Sequence, residues 1–271
     1  MHKKTLIMLD YVKYRNAWIC NFDPDFEQKL SDSQCKSLLK HGGWMVRNTF
    51  DFDCKEETDF WYVIKDSFGG LDELSKKDRK SVIKALDSFD YQIVNKKFIE
   101  DNGYEIAKKA FDAYAIHNVR MTKKVFYDFL QRWDENHCDF WAVFDKKDER
   151  FIGYSVVINY IKSSLYDKIF ILPEYRSNQS CVFYGMYYKR NEYYLGEKKK
   201  DYVNDGSRSV TEHSNAQPFL IKKFNFRKAY CKLKIRYKWW FGIIVRVLLP
   251  FRNVIPNRNV QAVLNMHLMQ S

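Results

Sequence analysis

Residues 140–158 read FWAVFDKKDERFIGYSVVI, and this stretch decides the fold class. Two runs rich in aromatic and β-branched residues, 140–144 and 151–158, flank the polar segment 145–149. Short apolar runs on either side of a polar turn predict an antiparallel β-hairpin. A third strand is predicted over Leu165–Leu172, so the middle of the chain is expected to form a sheet of consecutive strands.

Helical and strand-like patterns alternate on both sides of this hairpin. Apolar residues that recur every three or four positions predict helices, with Ser75 as the N-cap of the first, and the others at Ile99–Tyr114, Val125–Trp133, Cys181–Lys198 and Asn215–Phe224. Further strands are predicted at Trp44–Asp53, Asp59–Asp66, Tyr91–Val94 and Tyr202–Asn204. This mixture indicates an α+β protein.

Positive charge is concentrated in the second half of the chain. The 271 residues carry a net charge of +12, yet residues 1–135 hold 23 cations and 23 anions, so the surplus belongs to residues 136–271. No acidic residue follows Glu212, while the last 59 residues contain 11 Lys and Arg. A partner that carries phosphate, or an anionic membrane surface, is expected at this end.

A pattern of alternating residues stands out within the basic half. From Lys228 to Lys238, one set of alternate positions is apolar and the other carries five cations. Since successive side chains of a strand point to opposite faces, the pattern predicts one strand with an apolar and a cationic face. That face must meet water, acidic groups or an anionic ligand, because burying an unpaired cation is costly. A solvated edge strand protected by lysine is the alternative.

The most apolar run is WWFGIIVRVLLPF, residues 239–251. It is interrupted by Arg246 and is too short to span a bilayer. Trp and Arg on a short apolar segment are typical of the membrane interface, so a peripheral membrane contact through 239–251 is one interpretation. A final helix docked on the domain is the other.

The order of predicted elements from Phe140 to Lys238 resembles the GNAT-type acyltransferase fold, in particular its FemAB-like and bacterial two-half branches. Two motifs carry the resemblance: Ile171-Leu-Pro-Glu-Tyr-Arg-Ser-Asn-Gln-Ser-Cys181, and residues 204–230 with the turn Lys223-Phe-Asn-Phe226. The resemblance implies a mixed, mainly antiparallel sheet flanked by helices. It also implies three segments: a partial N-terminal GNAT-like half on the substrate side at 1–116, a GNAT-like acyltransferase domain at 117–238 and an apolar, basic tail at 239–271.

The first motif resembles the strand, loop and helix that receive the pyrophosphate of an acyl-coenzyme A in that superfamily. A polar loop that leads into a helix N-terminus presents backbone N–H groups to phosphate oxygens. The family's loop has glycines where this chain has Gln179 and Cys181, which leaves room for another activated donor such as an aminoacyl-tRNA. The implied donor-binding residues are Ile171 and Leu172, one of which supplies an oxyanion N–H, and Arg176, Ser177, Asn178, Gln179, Ser180 and Asn215.

The second motif contains the candidates for chemistry. At the position where many family members carry a tyrosine acid, this chain has Ile221. The remaining candidates are Asp205 and His213 as base, Arg208 as an anion clamp, and Tyr230, whose phenol pKa is expected to fall among the cations of its strand.

Structural alternatives exist for several of these residues. Asp205 precedes Gly206 and suits an ordinary turn, His213 suits a helix entry, and Asn215 suits an N-cap. The aromatic residues Trp61, Tyr62 and Tyr184 are candidates for the acceptor site, although most aromatic residues of such a chain belong to the core.

Six scattered cysteines without a CxxC or a zinc-type spacing predict a reducing compartment, no metal site and a cytoplasmic protein. The run 239–251 adds a membrane-peripheral location as the alternative. The function implied by the resemblance is transfer of an acyl group from acyl-coenzyme A, or of an aminoacyl group from aminoacyl-tRNA, to an amine or hydroxyl of a cell-envelope or small-molecule acceptor. The alternative is a non-catalytic module of the same fold that binds nucleic acid or anionic membrane through its basic strand.

Overall fold

The computed structural model describes residues 11–14, 16–27, 30–113, 120–177, 179–210 and 215–270. The strands found in these ranges are β1 Tyr11–Tyr14, β2 Ala17–Cys20, β3 Met45–Phe50, β4 Trp61–Lys65, β5 Phe89–Val94, β6 Cys138–Asp145, β7 Arg150–Asn159, β8 Ser163–Ile171, β9 Tyr202–Ser207, β10 Arg227–Tyr230 and β11 Lys232–Tyr237. The α-helices found there are α1 Asp32–Lys40, α2 Lys76–Ser88, α3 Lys96–Asp112, α4 Lys123–Leu130, α5 Val182–Asn191, α6 Ala216–Phe224, α7 Trp239–Leu248 and α8 Arg258–Leu268. The α+β fold class is confirmed.

Two compact units make up the chain, and each draws on separate parts of the sequence. Unit 1 comprises 1–63, 207–214 and 228–271, and unit 2 comprises 64–206 and 215–227. Their limits differ from the predicted segment boundaries at residues 116 and 238. The partial GNAT-like half proposed for 1–116 stays a prediction.

In unit 1, four strands form a sheet in the order β1-β2-β3-β11. Strand β2 runs parallel to β3, and β11 pairs antiparallel with β3. Leu38 and Leu39 of α1 pack with Tyr11, Trp18 and Val46 in one core cluster. A second cluster joins strand residues such as Leu233 and Ile235 to side chains of α8.

In unit 2, strands β5, β6, β7 and β8 pair antiparallel in chain order, and β9 pairs parallel with β8. The predicted hairpin is therefore confirmed as β6 and β7, with Trp141 opposite Ser155. In this sheet the strands of unit 2 follow one another in the order β9-β8-β7-β6-β5. Helix α5 lies close to β5 at Gly185. A Cβ at this position would lie 2.2 Å from the Tyr91 hydroxyl oxygen, so only glycine fits there. Ser75 caps α2 as predicted, since its hydroxyl accepts the Asp78 N–H at 3.2 Å.

The single strand predicted over Lys228–Lys238 is wrong, because the chain changes sheets at Cys231. Its N–H donates to the Phe60 carbonyl at 3.0 Å, and its carbonyl accepts the Thr58 hydroxyl at 2.8 Å. These two bonds hold the residue that separates β10 from β11. The alternation itself is confirmed, with Leu233 and Ile235 buried.

Acidic groups meet part of the cationic face, as one of the predicted possibilities stated. Lys232 pairs with Asp51 at 2.8 Å, and Arg236 pairs with Asp32 at 3.0 Å. At the end of the chain, α7 docks one side on α8 through Phe241, Val245 and Leu264. None of the helices that the structure describes is both long enough and apolar enough to cross a membrane.

Candidate functional site

The candidate site lies in unit 2, where β8 and β9 stop pairing. The two parallel strands share three residue pairs, from Ser163 opposite Tyr202 to Leu165 opposite Asn204. Beyond this point β8 continues to Ile171 and β9 to Ser207. Residues that follow the last pair therefore border a gap in the ladder, and in open sheets with parallel strands such gaps are favoured ligand positions.

Asp205 is the first residue of β9 beyond the paired region. The Gly206 N–H donates to the Asn204 side-chain oxygen at 3.1 Å, and Gly206 has a φ of 81°, which glycine accommodates without strain. The Asn204 side-chain amide also reaches the Ser164 carbonyl of β8 at 3.5 Å. Asp205 and Gly206 therefore lie within β9, with Gly206 in a left-handed conformation, and do not form the ordinary turn that was the structural alternative.

The Asp205 carboxyl has an unusual acidity for an aspartate. It is partly exposed yet closely surrounded by protein. Burial raises its pKa to about 7, against the lowering effect of Arg190 and Lys168, and Asp167 adds a smaller upward contribution. A carboxyl that titrates near neutral pH can accept a proton from a substrate and release it again. Asp205 therefore has the acidity expected of the predicted base.

Arg190 of α5 is a fully buried cation close to this carboxyl. Its Nη1 donates to the Ser155 hydroxyl at 2.6 Å, and its guanidinium carbon lies 3.9 Å from the centre of the Tyr166 ring and 4.6 Å from that of Tyr187. The rings stabilise the charge by cation–π contact.

Three donor nitrogens here have no hydrogen-bond partner among the described residues: Arg190 Nε, Arg190 Nη2 and Asn191 Nδ2. The other side-chain atom of Asn191, Oδ1, accepts the Tyr166 hydroxyl at 2.8 Å. Buried donors are nearly always paired in folded proteins, so these nitrogens would pair with an ordered water or with a bound acceptor group. Oxygen atoms of a carbonyl or carboxylate have the complementary acceptor character.

Sequence reasoning missed Arg190 and Asn191. The signal was present, because Arg190 follows Met186 by four residues and Tyr187 by three, so it lies on the same side of the predicted helix Cys181–Lys198 as these two residues. An arginine on the buried side of a helix is rare unless it is paired.

The loop before α5 contains most of the predicted donor-binding residues. The Leu172 N–H donates to the Ile152 carbonyl at 2.9 Å, so this N–H is occupied by the neighbouring strand. Arg176 donates from Nε to the Ile171 carbonyl and from Nη2 to the Ala110 carbonyl, both at 3.0 Å. The Arg176 guanidinium therefore stabilises the conformation of the loop through these two hydrogen bonds.

The other residues of this loop are less constrained. Ser177 and Gln179 are exposed, and the Ser180 hydroxyl donates to the Ser177 carbonyl at 3.0 Å. Asn178 and the proposed base His213 lie outside the described residues. Asn215 takes the N-cap position of α6, but its side chain makes no capping hydrogen bond.

Cys181, at the N-cap of α5, has a φ of 57°. This left-handed conformation favours glycine, and glycine is what the resembling loops carry at this position. Cys181 therefore carries a side chain at a backbone conformation that only glycine adopts without strain.

Replacing Cys181 tests this strain. Cys181→Gly is expected to be about 1 kcal/mol more stable than Cys181→Ala, because both lose the sulfur and only alanine keeps a Cβ at a positive φ. Urea denaturation of the two variants measures the difference. The same pair at exposed Ser177, which has no positive φ, should show alanine equal or superior to glycine. Equal stability of the two Cys181 variants would remove the strain argument.

Unit 1 brings together Arg208, Trp61 and Tyr230 from the predicted set. The Arg208 guanidinium carbon lies 4.2 Å from the centre of the Trp61 ring, and Lys228 Nζ lies 4.3 Å from it. Arg208 also donates from Nη1 to the Asp59 carbonyl at 2.7 Å. Near Arg208 is a cavity of about 310 Å³, which is lined by Asp59, Arg208, Ser209, Val210, Arg252, Asn265, Leu268 and Met269.

The expectation for the Tyr230 phenol is wrong. Partial desolvation, together with a hydrogen bond to the Glu57 carboxylate, raises its pKa above the ordinary tyrosine value. The nearby carboxylate disfavours the phenolate.

The two remaining aromatic candidates pack in the cores of their units. Tyr62 packs against the cluster around Phe60 in unit 1, and burial raises the pKa of its phenol. Tyr184 in unit 2 contacts Phe219 and donates to Asp78 at 3.1 Å; burial, followed by the Asp78 charge, raises its pKa to about 12. Among the described residues, no group of His, Cys, Asp and Glu is arranged to hold a metal ion.

Comparison with known proteins identifies solved structures of similar fold. No family model matches the sequence, and no curated protein matches it. The C-terminal domain of a protein described as a lysylphosphatidylglycerol synthetase from Agrobacterium fabrum aligns with a TM-score of 0.50 at 10% identity, covering 88% of this chain and 84% of that one.

Two further solved structures align with lower scores. L-PGS from Bacillus licheniformis aligns with a TM-score of 0.49 at 9% identity over 96% of this chain and 85% of that chain. FemX aligns with a TM-score of 0.48 at 10% identity over 72% and 74%. At such identities the likeness concerns the fold.

Proposed function

We propose, on the premise that this chain has the GNAT-like acyltransferase fold, that it transfers an acyl or aminoacyl group to an amine or hydroxyl with Asp205 as the base. The observation that supports this most strongly is the position of Asp205. Asp205 follows the last residue pair of β8 and β9, and burial raises the pKa of its carboxyl to about 7 against the lowering effect of the buried Arg190 charge.

The proposed reaction joins the acceptor nitrogen or oxygen to the acyl carbon. The bond between the acyl carbon and the leaving oxygen or sulfur of the donor breaks. Asp205 accepts the proton of the acceptor as the new bond forms and returns it to the leaving atom, so that protons balance over one turnover. A carboxyl with a pKa near 7 suits both halves of this exchange.

The unpaired donors of Arg190 and Asn191 are assigned to an oxygen of the acyl group. The negative charge that develops on the carbonyl oxygen during acyl transfer is stabilised by preorganised donors in a site that excludes water. The buried guanidinium is such a donor. It would replace the Leu172 N–H, which the Ile152 carbonyl already occupies.

An aminoacyl ester, as in aminoacyl-tRNA, suits the donor side better than acyl-coenzyme A. The loop before α5 carries side chains at Gln179 and Cys181 that would crowd a pyrophosphate, and Arg176 is held by backbone carbonyls. The neighbour described as a lysylphosphatidylglycerol synthetase bears the name of an aminoacyl product. The proposed acceptor is an amine or hydroxyl of an envelope precursor, lipid or small molecule.

The non-catalytic alternative receives less support. Lys232 and Arg236, two cations of the face on which it depended, are paired with Asp51 and Asp32.

None of the six cysteines, all in described positions, forms a disulfide, which suits the proposed cytoplasmic location.

A donor-consumption assay tests the proposal. The purified chain is incubated with a labelled pool of aminoacyl-tRNA or with acetyl- and longer acyl-coenzyme A, each with polyamine, phosphatidylglycerol and peptidoglycan-precursor acceptors. We expect consumption of aminoacyl-tRNA with label in an acceptor, and no thiol release from acyl-coenzyme A. Thiol release with acceptor acylation would reassign the donor. Consumption of neither donor would contradict the transferase.

A further inference from the structure

Helix α7 has one buried and one exposed apolar side. Phe241 and Val245 pack against Leu264 of α8. On the opposite side Trp239, Ile243 and Val247 are 79%, 51% and 61% exposed. Residues four apart lie on one face of a helix, so these three form a continuous apolar stripe that nothing in unit 1 covers among the described residues.

Two further exposed apolar side chains follow the end of α7 in the chain. Phe251 and Val254 are also exposed. We call the five residues Trp239, Ile243, Val247, Phe251 and Val254 the α7 face. Contiguous exposed apolar surface of this kind is uncommon on proteins that stay free in solution and marks an interaction site.

The positive charge of Arg246 beside the α7 face indicates which kind of partner this face binds. Arg246 is exposed and follows Ile243 by three residues, so it lies within the same stripe. No acidic residue occurs after Glu212. A second copy of this chain would therefore bring its own Arg246 to the contact without a carboxylate from this segment to oppose it. Phosphate groups of an anionic lipid surface supply the missing charge.

The length of the helix determines how it would meet a bilayer. With ten residues α7 is about 15 Å long, half the thickness of a hydrocarbon core. It can lie in the interface plane with its apolar stripe at the acyl boundary and its cation at the headgroups. Trp239 at one end of the helix suits this depth.

We propose that the α7 face docks this protein on an anionic lipid bilayer, with α7 parallel to the membrane surface. This docking does not depend on the Asp205 site, and we expect it whichever acceptor that site uses. Apolar burial supplies most of the binding, and Arg246 supplies preference for anionic headgroups.

Vesicle co-sedimentation of the full chain is the test. Vesicles of phosphatidylcholine alone are compared with vesicles that contain three parts in ten of phosphatidylglycerol. We expect the unsubstituted chain to bind the anionic vesicles at least fivefold more tightly, with weaker binding at high salt. The double variant Ile243→Gln/Val247→Gln should bind about tenfold more weakly, because two apolar side chains no longer leave water.

Matched variants separate the contribution of the apolar side chains to vesicle binding from the contribution of Arg246. Ile161→Gln removes an apolar side chain that is 85% exposed in unit 2 and should leave vesicle binding unchanged. Arg246→Gln should reduce the preference for anionic vesicles and leave binding to neutral vesicles unchanged. Thermal unfolding checks that the α7 double variant is folded. The double variant should transfer the acyl group to a water-soluble acceptor at the same rate as the unsubstituted chain. Loss of vesicle binding can then be distinguished from failure of the proposed function.

Three results would overturn the docking proposal. The first is equal binding to both kinds of vesicle, and the second is unchanged binding by the folded double variant. The third is self-association without vesicles, measured by sedimentation velocity, that the double variant abolishes. That last result would assign the α7 face to a second copy of the chain.

Discussion

Asp205→Asn is expected to slow acyl transfer by a factor of about 10² to 10⁴, the usual contribution of a positioned base. Asparagine keeps the shape of the side chain but cannot accept the acceptor proton. In the unsubstituted chain the transfer rate should rise with pH through a midpoint near 7, where the Asp205 carboxyl ionises. Rates measured from pH 5 to 9 with saturating donor provide both the magnitude and the midpoint.

The same substitution should make the folded chain more stable at pH 8. The folded state retains the Asp205 proton up to about pH 7, whereas the unfolded chain releases it near the ordinary aspartate value. The free energy of unfolding of the unsubstituted chain should therefore fall as pH rises from about 4 to 7, and Asp205→Asn should lack this decrease. Because the carboxyl is partly exposed, we expect a gain of about 1–3 kcal/mol at pH 8.

Asp128→Asn is the matched control for Asp205. Asp128 is an exposed carboxylate of α4 that pairs with Lys124 at 2.8 Å. Its replacement should change neither the transfer rate nor the stability by more than about 0.5 kcal/mol. Transfer that persists in Asp205→Asn, or unchanged stability between pH 5 and 8, would remove Asp205 from the proposed role.

Arg190→Met is expected to move the midpoint of the transfer rate to higher pH by about half to one unit. The guanidinium lowers the pKa of Asp205, so its removal lets burial raise that pKa further. The rate at its high-pH plateau should also fall by about 10² to 10³, since the acyl oxygen loses a preorganised donor. Rate profiles from pH 5 to 10 measure both effects.

Two further measurements separate these effects from simple misfolding. Methionine fills a similar volume, and it removes a buried charge for which no ion pair is present among the described residues, so thermal unfolding should remain cooperative. Arg190→Lys keeps the charge and should restore the midpoint near 7, while the plateau stays low because the planar fork of donors is lost. An unchanged midpoint in a folded Arg190→Met variant would contradict the electrostatic coupling.

Local patterns predicted the secondary structure well because they depend on neighbouring residues. The β6–β7 hairpin, the Ser75 cap and the alternation around Leu233 and Ile235 were all readable from spacing. The break at Cys231 was not, since it depends on bonds to Phe60 and Thr58, which are far away in the chain. The acidity of Tyr230 was misjudged because Glu57 is equally distant in sequence.

Residue types and their order alone predicted an α+β chain and a cationic end without acids, because periodicity and composition are enough for these two properties. The GNAT-like succession of elements and Asp205 as a candidate base were predicted from the resemblance of two motifs to that superfamily. Only the tertiary structure revealed that Asp205 has a pKa near 7, that Arg190 is buried between Tyr166 and Tyr187 with unpaired donors, and that one side of α7 stays uncovered. The reason is physical: acidity, hydrogen-bond satisfaction and exposure depend on which residues meet in space.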